Sequence, residues 1–481
     1  MRDTPSSSIL GDMETTPVTT QVGEHAVVLG GSLAGLAAAA ALAERFHRVT
    51  IVERDTLQGA DAYRRGVPQG RHLHVLLPAG RMGLAELLPG VVDDLRARDA
   101  RVIDTTDVRF HIAGGSLLLD DADLDIVSAT RPLLESVVRD RVRAQPGVRF
   151  LEGQDARGLL TTPDRSRVTG VRLGSRDSNT EDTLPGDLVV DATGRNSRSP
   201  HWVADLGYPS PDEERLQVGV HYTTRLFRRE PGDLERCQAV VVTIPPGDRR
   251  GGALLSVEGD RWLVTLIGLL GERPPADLDG FVEYTRTLWV ADLHEVVAAA
   301  EPLGEASTGG FPGYVRRRYD RLQRFPDRYV VTGDAMCSLN PVYAQGMSAA
   351  IGEASALGQV LDRHGLDGVG PRFFQRTRRT VDAAWTMATG ADLGYPGVQG
   401  PRPARWRLMN AYINRLLRVA HRDPVVAKAF MAVNGMVAPP QHLMRPRIVS
   451  RVFTGDRGLT RKSDRIGRGR SHDTTMTPAS P

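Results

Sequence analysis

The stretch His25-Ala-Val-Val-Leu29-Gly30-Gly31-Ser32-Leu33-Ala34-Gly35, running on through Leu36 and five alanines to Arg48-Val-Thr-Ile-Val-Glu53, decides the fold. Four apolar residues that end in glycines are the pattern of a buried parallel strand entering a tight turn. Residues 34–45 are strong helix formers with very small side chains, suited to lying close against a sheet. Residues 48–54 form a second strand, so a complete βαβ unit is packed into about thirty residues. Gly30 permits the turn and Gly35 lets helix and strand approach closely. The exposed amides of Ser32, Leu33 and Ala34 at the helix N-terminus are then placed to hold a pyrophosphate. The second glycine position of the usual dinucleotide fingerprint is Ser32 here, with Gly31 beside it supplying room. Glu53, with Arg54 next to it, closes the second strand where a carboxylate accepts hydrogen bonds from ribose hydroxyls. That carboxylate would repel a 2′-phosphate, so the site favours FAD or NAD over NADP.

Working outward, three more strand-like segments share this character: residues 148–153, 187–194 and 328–334. Two of them end in glycine beside Asp or Thr, as strands do when their carboxyl ends face a ligand in an open α/β sheet. Residues 101–126 and 201–320 differ in texture. Alternating segments such as Leu216–Tyr222, Ala239–Ile244 and Arg261–Gly268 are split by Pro/Gly turns, and they read as a mixed or antiparallel sheet inserted twice into the first domain. The expected class is therefore α/β. Residues 25–100, 127–200 and 321–372 form the dinucleotide-binding domain and 101–126 with 201–320 form the substrate-binding sheet domain. Residues 373–455 form a C-terminal helical region. A disordered leader over 1–24 and a disordered tail over 456–481 flank these.

Composition removes several alternatives. With 41% hydrophobic and 25% charged residues in 481, the chain reads as soluble and globular, long enough for about three domains. Its longest uncharged apolar stretch, Leu33–Ala43, is too short to span a bilayer, and no secretory signal is legible, so no membrane partner is expected. Two cysteines, Cys237 and Cys337, make neither a disulfide framework nor a cysteine zinc site, which fits a reduced, cytoplasmic setting. Net charge is +3, and arginines and acids are mixed along the chain except at Arg457–Arg470, read as a solvated basic tail. No nucleic-acid partner is expected. Only Lys428 and Lys462 are lysines, which excludes a Walker A phosphate loop.

Beyond the second strand lie Asp191-Ala-Thr-Gly194, Gly333-Asp334-Ala and Asn340-Pro341-Val-Tyr343-Ala-Gln-Gly346-Met347-Ser348. With the βαβ fingerprint, these resemble the single-component (group A) flavoprotein monooxygenases related to aromatic hydroxylases. The resemblance implies an FAD/NAD(P)-binding Rossmann-like domain with an inserted mixed sheet and C-terminal helices. It implies that Asp334 bonds the ribityl chain and that Pro341, Gly346, Met347 and Ser348 place amides and a helix N-terminus at the flavin pyrimidine edge. Arg131, in Ala129-Thr-Arg-Pro-Leu-Leu, matches the family arginine across the diphosphate and ribityl region. Amides at a helix N-terminus are a natural partner for the anion of reduced flavin.

The loop Tyr63-Arg-Arg65-Gly-Val-Pro-Gln69-Gly-Arg71-His72-Leu-His74, with Tyr222-Thr-Thr-Arg225-Leu-Phe, resembles actinobacterial flavin-dependent epoxidases of polyether polyketide biosynthesis. Arg65 and Gln69 join the cofactor residues on that ground. His72 and His74 have ligand spacing but no third ligand, so they read as a structural or flavin-adjacent pair and no metal is expected. Helices around Trp385, Trp406 and Tyr412 either close the far side of the pocket or pack as ordinary core.

The resemblance implies that NAD(P)H reduces FAD, and that a C4a-hydroperoxide then delivers one oxygen of O2 to an alkene or electron-rich ring of a small hydrophobic natural-product substrate. Epoxidase and hydroxylase both fit. No catalytic acid or base is assigned, because the flavin carries the chemistry. Asp191-Ala-Thr-Gly departs from the Asp-Gly turn of aromatic hydroxylases, which leaves direct reduction and a partner flavin reductase both open. The alternatives are a geranylgeranyl-reductase-like enzyme and an FAD-containing non-redox cyclase.

Overall fold

The computed structural model describes residues 21–57, 59, 63–120, 124–175 and 181–455. Most of the expected leader and all of the expected tail lie outside the described residues. Strand Gly23–Leu29 begins two residues before the expected start of order. It is the centre of a five-stranded parallel sheet, flanked by Leu188–Asp191 on one side and Phe46–Glu53 on the other. Tyr329–Val331 and Val148–Glu152 form the edges. Val28 pairs with both Val190 and Ile51, so the apolar run is buried on both faces as a central parallel strand must be.

Helix Leu33–Ala43 crosses between the first two strands, and nine of its eleven residues are buried. Its alanines permit this, because only small side chains let a helix lie so close to strands. Helix Gln345–His364 packs beside it, and helix Arg131–Arg143 lies on the same layer. Three cavity-facing turns therefore start from one sheet: those after Leu29, Asp191 and Val331.

The inserted region forms an eight-stranded sheet. In spatial order its strands are 337–338, 302–317, 213–228, 261–268, 250–257, 239–242, 108–112 and 115–116. It is mixed, because Ala239–Val242 runs parallel to Val108–Ile112 while the remaining pairs are antiparallel. Some segments divide differently from the sequence reading. Residues 101–103 join a small sheet with 75–76 and 126–128, and only 108–116 of that stretch reach the large sheet. Cys337–Ser338, read with the dinucleotide-binding segment, pairs with the edge of the large sheet at Val315 and Arg316. A three-stranded antiparallel sheet over 154–161, 168–175 and 181–185 stands within 127–200. The alternation there was not read as strands, because its residues are mostly polar or half-buried. Helix Val369–Asp392 runs through residue 373, and helices 404–420, 424–434 and 446–455 complete the C-terminal layer.

Candidate functional site

The turn after the first strand is built by contact limits on two glycines. Gly30 has φ +101°, and a Cβ there would stand 2.7 Å from the Ala192 carbonyl oxygen. A Cβ on Gly35 would come within 1.8 Å of the Gly30 oxygen, so strand and helix meet only if both lack side chains. Ser32 is the N-cap in extended conformation, and its hydroxyl makes no cap bond. The first amides of the helix are therefore free to receive an anion.

Behind this turn lies a buried charge cluster. Glu53 Oε2 accepts the Gly31 amide at 2.8 Å and Arg64 Nη1 at 3.2 Å, while Oε1 accepts the Asp55 amide at 2.9 Å. Arg64 also donates to Glu135. Glu135 accepts from Arg131 Nε at 2.8 Å and from the Ser32 hydroxyl, and Arg131 Nη2 donates to Ser32 Oγ at 3.1 Å. Burial would raise the Glu135 carboxyl, but Arg131 and Arg64 hold it down to about 2. Arg131 itself starts its helix, and the preceding Thr130 is tied to the large sheet by Glu258, which accepts its amide at 3.0 Å.

One cavity of about 1590 Å³ runs from this turn into the large sheet and the C-terminal helices. Ser32, Leu33, Ala34 and Arg131 line one end. Asp334, Pro341, Gly346 and Met347 line its middle, and Arg54, Arg65 and Gln69 stand exposed along its wall. Of the other expected residues, Gly30, Gly31, Gly35 and Glu53 lie beneath the wall. Glu53 is 5% exposed, covered by Arg64 and Gly31. Ser348, expected for its place in the amide-bearing helix start, lies in the first turn of helix Gln345–His364. Its hydroxyl turns away from the cavity toward Gly80, because side chains one position apart on a helix diverge and Met347 and Ala350 hold the facing stripe.

Asp334 opens into the cavity although protein surrounds it. That enclosure pushes its carboxyl up to about 6, with Arg131 and Arg195 pulling the other way. Below it, buried Glu353 accepts the Thr332 hydroxyl and the Gly333 amide, each at 2.7 Å, which fixes the turn that carries Asp334. Burial raises Glu353 to about 7. Opposite stands the start of helix Gln345–His364. A Cβ at Gly346 would meet only Asp334 Oδ1, at 3.9 Å, so this end is open. Asn340 caps Val342 and anchors to Asp392, which also accepts the hydroxyls of Tyr314 and Tyr343 at 2.6 Å.

The expected Asp191 turn is closed on itself. Asp191 is fully buried and accepts from Thr193, Ser197 and Ser199, so its carboxylate is unavailable to a pyridine nucleotide. His72 Nδ1 is paired with Thr224 Oγ1 at 2.9 Å and its ring stands edge-on to Tyr222. Burial lowers His72 to about 4 and His74 to about 3, so both are neutral on the cavity wall. No group of three or more metal-ligating side chains occurs among the described residues. Trp385 and Trp406 line the far chamber as one reading held. Tyr412 does not, and its hydroxyl bonds the Leu443 carbonyl instead.

Arg64, Glu135, Glu353 and Asp392 were missed by the sequence reading. The i,i+4 spacing of Arg131 and Glu135 was a usable signal. Nothing in Arg64-Arg65 says which guanidinium turns inward.

These features fit a bound FAD. The turn admits no Cβ, the first helix has free amides, and Gln345 Oε1 on the cavity wall is a buried acceptor with no partner. Comparison with known proteins agrees. Residues 26–219 match the model of the family described as FAD dependent oxidoreductase. Protein Rv3254 of Mycobacterium tuberculosis is 32% identical over 426 residues, 85% of this chain and 88% of its own. Kynurenine 3-monooxygenase of Salinispora arenicola is 27% identical over 366 residues, 71% of this chain and 73% of its own. The solved p-nitrophenol 4-monooxygenase PnpA of Pseudomonas putida shares the fold at TM-score 0.61 and 17% identity, over 86% of this chain and 98% of that one.

Proposed function

The chain belongs to the FAD-dependent oxidoreductase family, and from that premise we propose that it is a monooxygenase. It inserts one oxygen atom of O2 into an alkene or electron-rich ring of a hydrophobic natural-product intermediate, as an epoxidase or hydroxylase. The observation that carries this reading is the single cavity that joins the dinucleotide turn at Ser32 to an apolar chamber. Its volume exceeds the ~1,000 Å³ upper range of ordinary small-molecule sites, so it has room for a dinucleotide and a sizeable substrate together.

The amides of Ser32, Leu33 and Ala34 would hold the diphosphate, and Glu53 would hold the ribose once Arg64, which covers it here, is displaced. Arg131 and Asp334 would face the ribityl region, and residues 341–347 the flavin ring. Bound FAD would supply the electron transfer and oxygen activation that no side chain here can provide. The chain's part is to bind, orient and exclude water. Phe110, Ile112, Val241, Ile267, Trp385 and Trp406 wall the chamber with apolar surface. Dry surroundings protect a reactive oxygen donor and favour an uncharged substrate. NAD(P)H is the proposed reductant. The closed Asp191 turn supports delivery of electrons without help from that carboxylate, by direct contact elsewhere or through a separate flavin reductase.

Mass spectrometry of the product formed under ¹⁸O2 tests the proposal: one ¹⁸O atom is expected in it. A product of unchanged mass, made without NAD(P)H or O2, would instead assign a non-redox cyclase. Loss of a double bond under anaerobic conditions would assign a reductase.

A further inference from the structure

Residues 393–455 contain ten basic residues and a single acid, Asp423, which is already paired with Arg451 at 2.7 Å. The whole chain carries only +3, so the remainder is net acidic. The even mixing of charge expected from the sequence therefore stops at the C-terminal helical layer. Arg405, Arg407, Arg445 and Arg447 are exposed there and form no ion pair with any described residue.

The same layer carries large apolar side chains in water. Leu408 is 74% exposed, and Met409, Met444 and Phe453 are each nearly half exposed. They belong to one surface. Leu408 and Tyr412 are one helical turn apart, Tyr412 bonds Leu443 next to Met444, and the Phe453 ring lies 6.4 Å from that of Tyr412. Met409 and Met444 also line the cavity, so the apolar chamber opens to the outside within this surface.

We propose that this face docks on an anionic phospholipid bilayer, with Leu408, Met409, Met444 and Phe453 in the headgroup region and the arginines on lipid phosphates, so that the chamber draws its substrate from lipid. Apolar side chains set among exposed arginines are what a fluid interface accepts, since lipid needs no matching pockets. A folded protein partner would need such pockets. A mouth pressed against lipid also spares an apolar substrate the passage through water. No helix among the described residues is long and apolar enough to cross a membrane, so the contact is at the surface.

The test is co-sedimentation of the full-length protein with vesicles of phosphatidylcholine alone and with about one third phosphatidylglycerol. It needs no turnover, so it succeeds or fails independently of the proposed reaction. Binding to the anionic vesicles only, weakening with salt, is expected. Arg407→Gln and Arg445→Gln should each weaken it about fivefold, and Leu408→Asp at least as much, with unchanged circular dichroism. No binding to anionic vesicles at physiological salt overturns the proposal. So does binding that Leu408→Asp leaves intact while the arginine changes abolish it, the signature of a purely electrostatic contact such as an acidic protein would make.

Discussion

The Gly31 amide and Glu53 Oε2 are joined by a 2.8 Å hydrogen bond, and the same oxygen also accepts Arg64 at 3.2 Å. The proposed ribose carboxylate is thus held in place from two sides by its own chain. Glu53→Ala should lower FAD affinity about tenfold or more, since a hydrogen bond to a charged group contributes about 1.5–3 kcal/mol. Titrating the apoprotein with FAD by fluorescence quenching measures it, and equal affinity in variant and parent would remove Glu53 from the site.

Gly35→Ala should be among the most damaging substitutions. Its methyl would stand 1.8 Å from the Gly30 oxygen, so the helix must leave the strand. A loss of about 3 kcal/mol, read from the urea midpoint, is expected together with loss of bound flavin.

Glu135 carries a pH signature. Its carboxyl is held at about 2 against an ordinary value of 4.5. The depressed value means its contribution is fully present above 4.5 and is lost as pH falls toward 2, on the order of 3 kcal/mol in all. Glu135→Gln should remove that acid-side loss of stability and lower the midpoint at pH 7, because Arg64 and Arg131 lose their shared partner.

Glu353 behaves oppositely. Its carboxyl is raised from 4.5 to about 7 by burial. Its stabilising, protonated form prevails below 4.5, and that stability is lost as pH rises through 7, again on the order of 3 kcal/mol. Glu353→Gln should flatten stability between pH 5 and 8 in urea titrations. A variant that keeps the parent's slope there would show that another group titrates.

Asp334 sits at about 6 beside the open start of helix Gln345–His364. FAD affinity should therefore change between pH 5 and 7, and Asp334→Asn should abolish the change. Asp334→Ala should weaken flavin retention at every pH, as absorbance of the purified protein would show.

Much of this is legible in the sequence. The run Ala26–Leu29, entering glycines, read as a buried parallel strand, because four apolar residues without alternation need cover on both faces. Gly30, Gly35 and Glu53 were read from spacing along that unit, and Asp334 and Gly346 from the resemblance of later motifs to a known family. The direction of the Ser348 hydroxyl was not legible, because a motif names neighbours in sequence, whereas a helix turns successive side chains by about 100°. Arg64 and Glu135 were missed because a buried ion pair depends on partners that no local pattern fixes.

From its residues alone this chain determined a parallel βαβ core with a dinucleotide turn, since backbone sterics and burial act over a few positions and leave their mark in local order. Only the tertiary structure decided which arginine covers Glu53, which carboxyls are pushed up by burial and which are held down by arginines, and that one cavity joins the turn to an apolar mouth among basic helices. Those properties arise from atoms far apart in the chain, whose distances, and hence whose desolvation and Coulomb energies, exist only once the chain has folded.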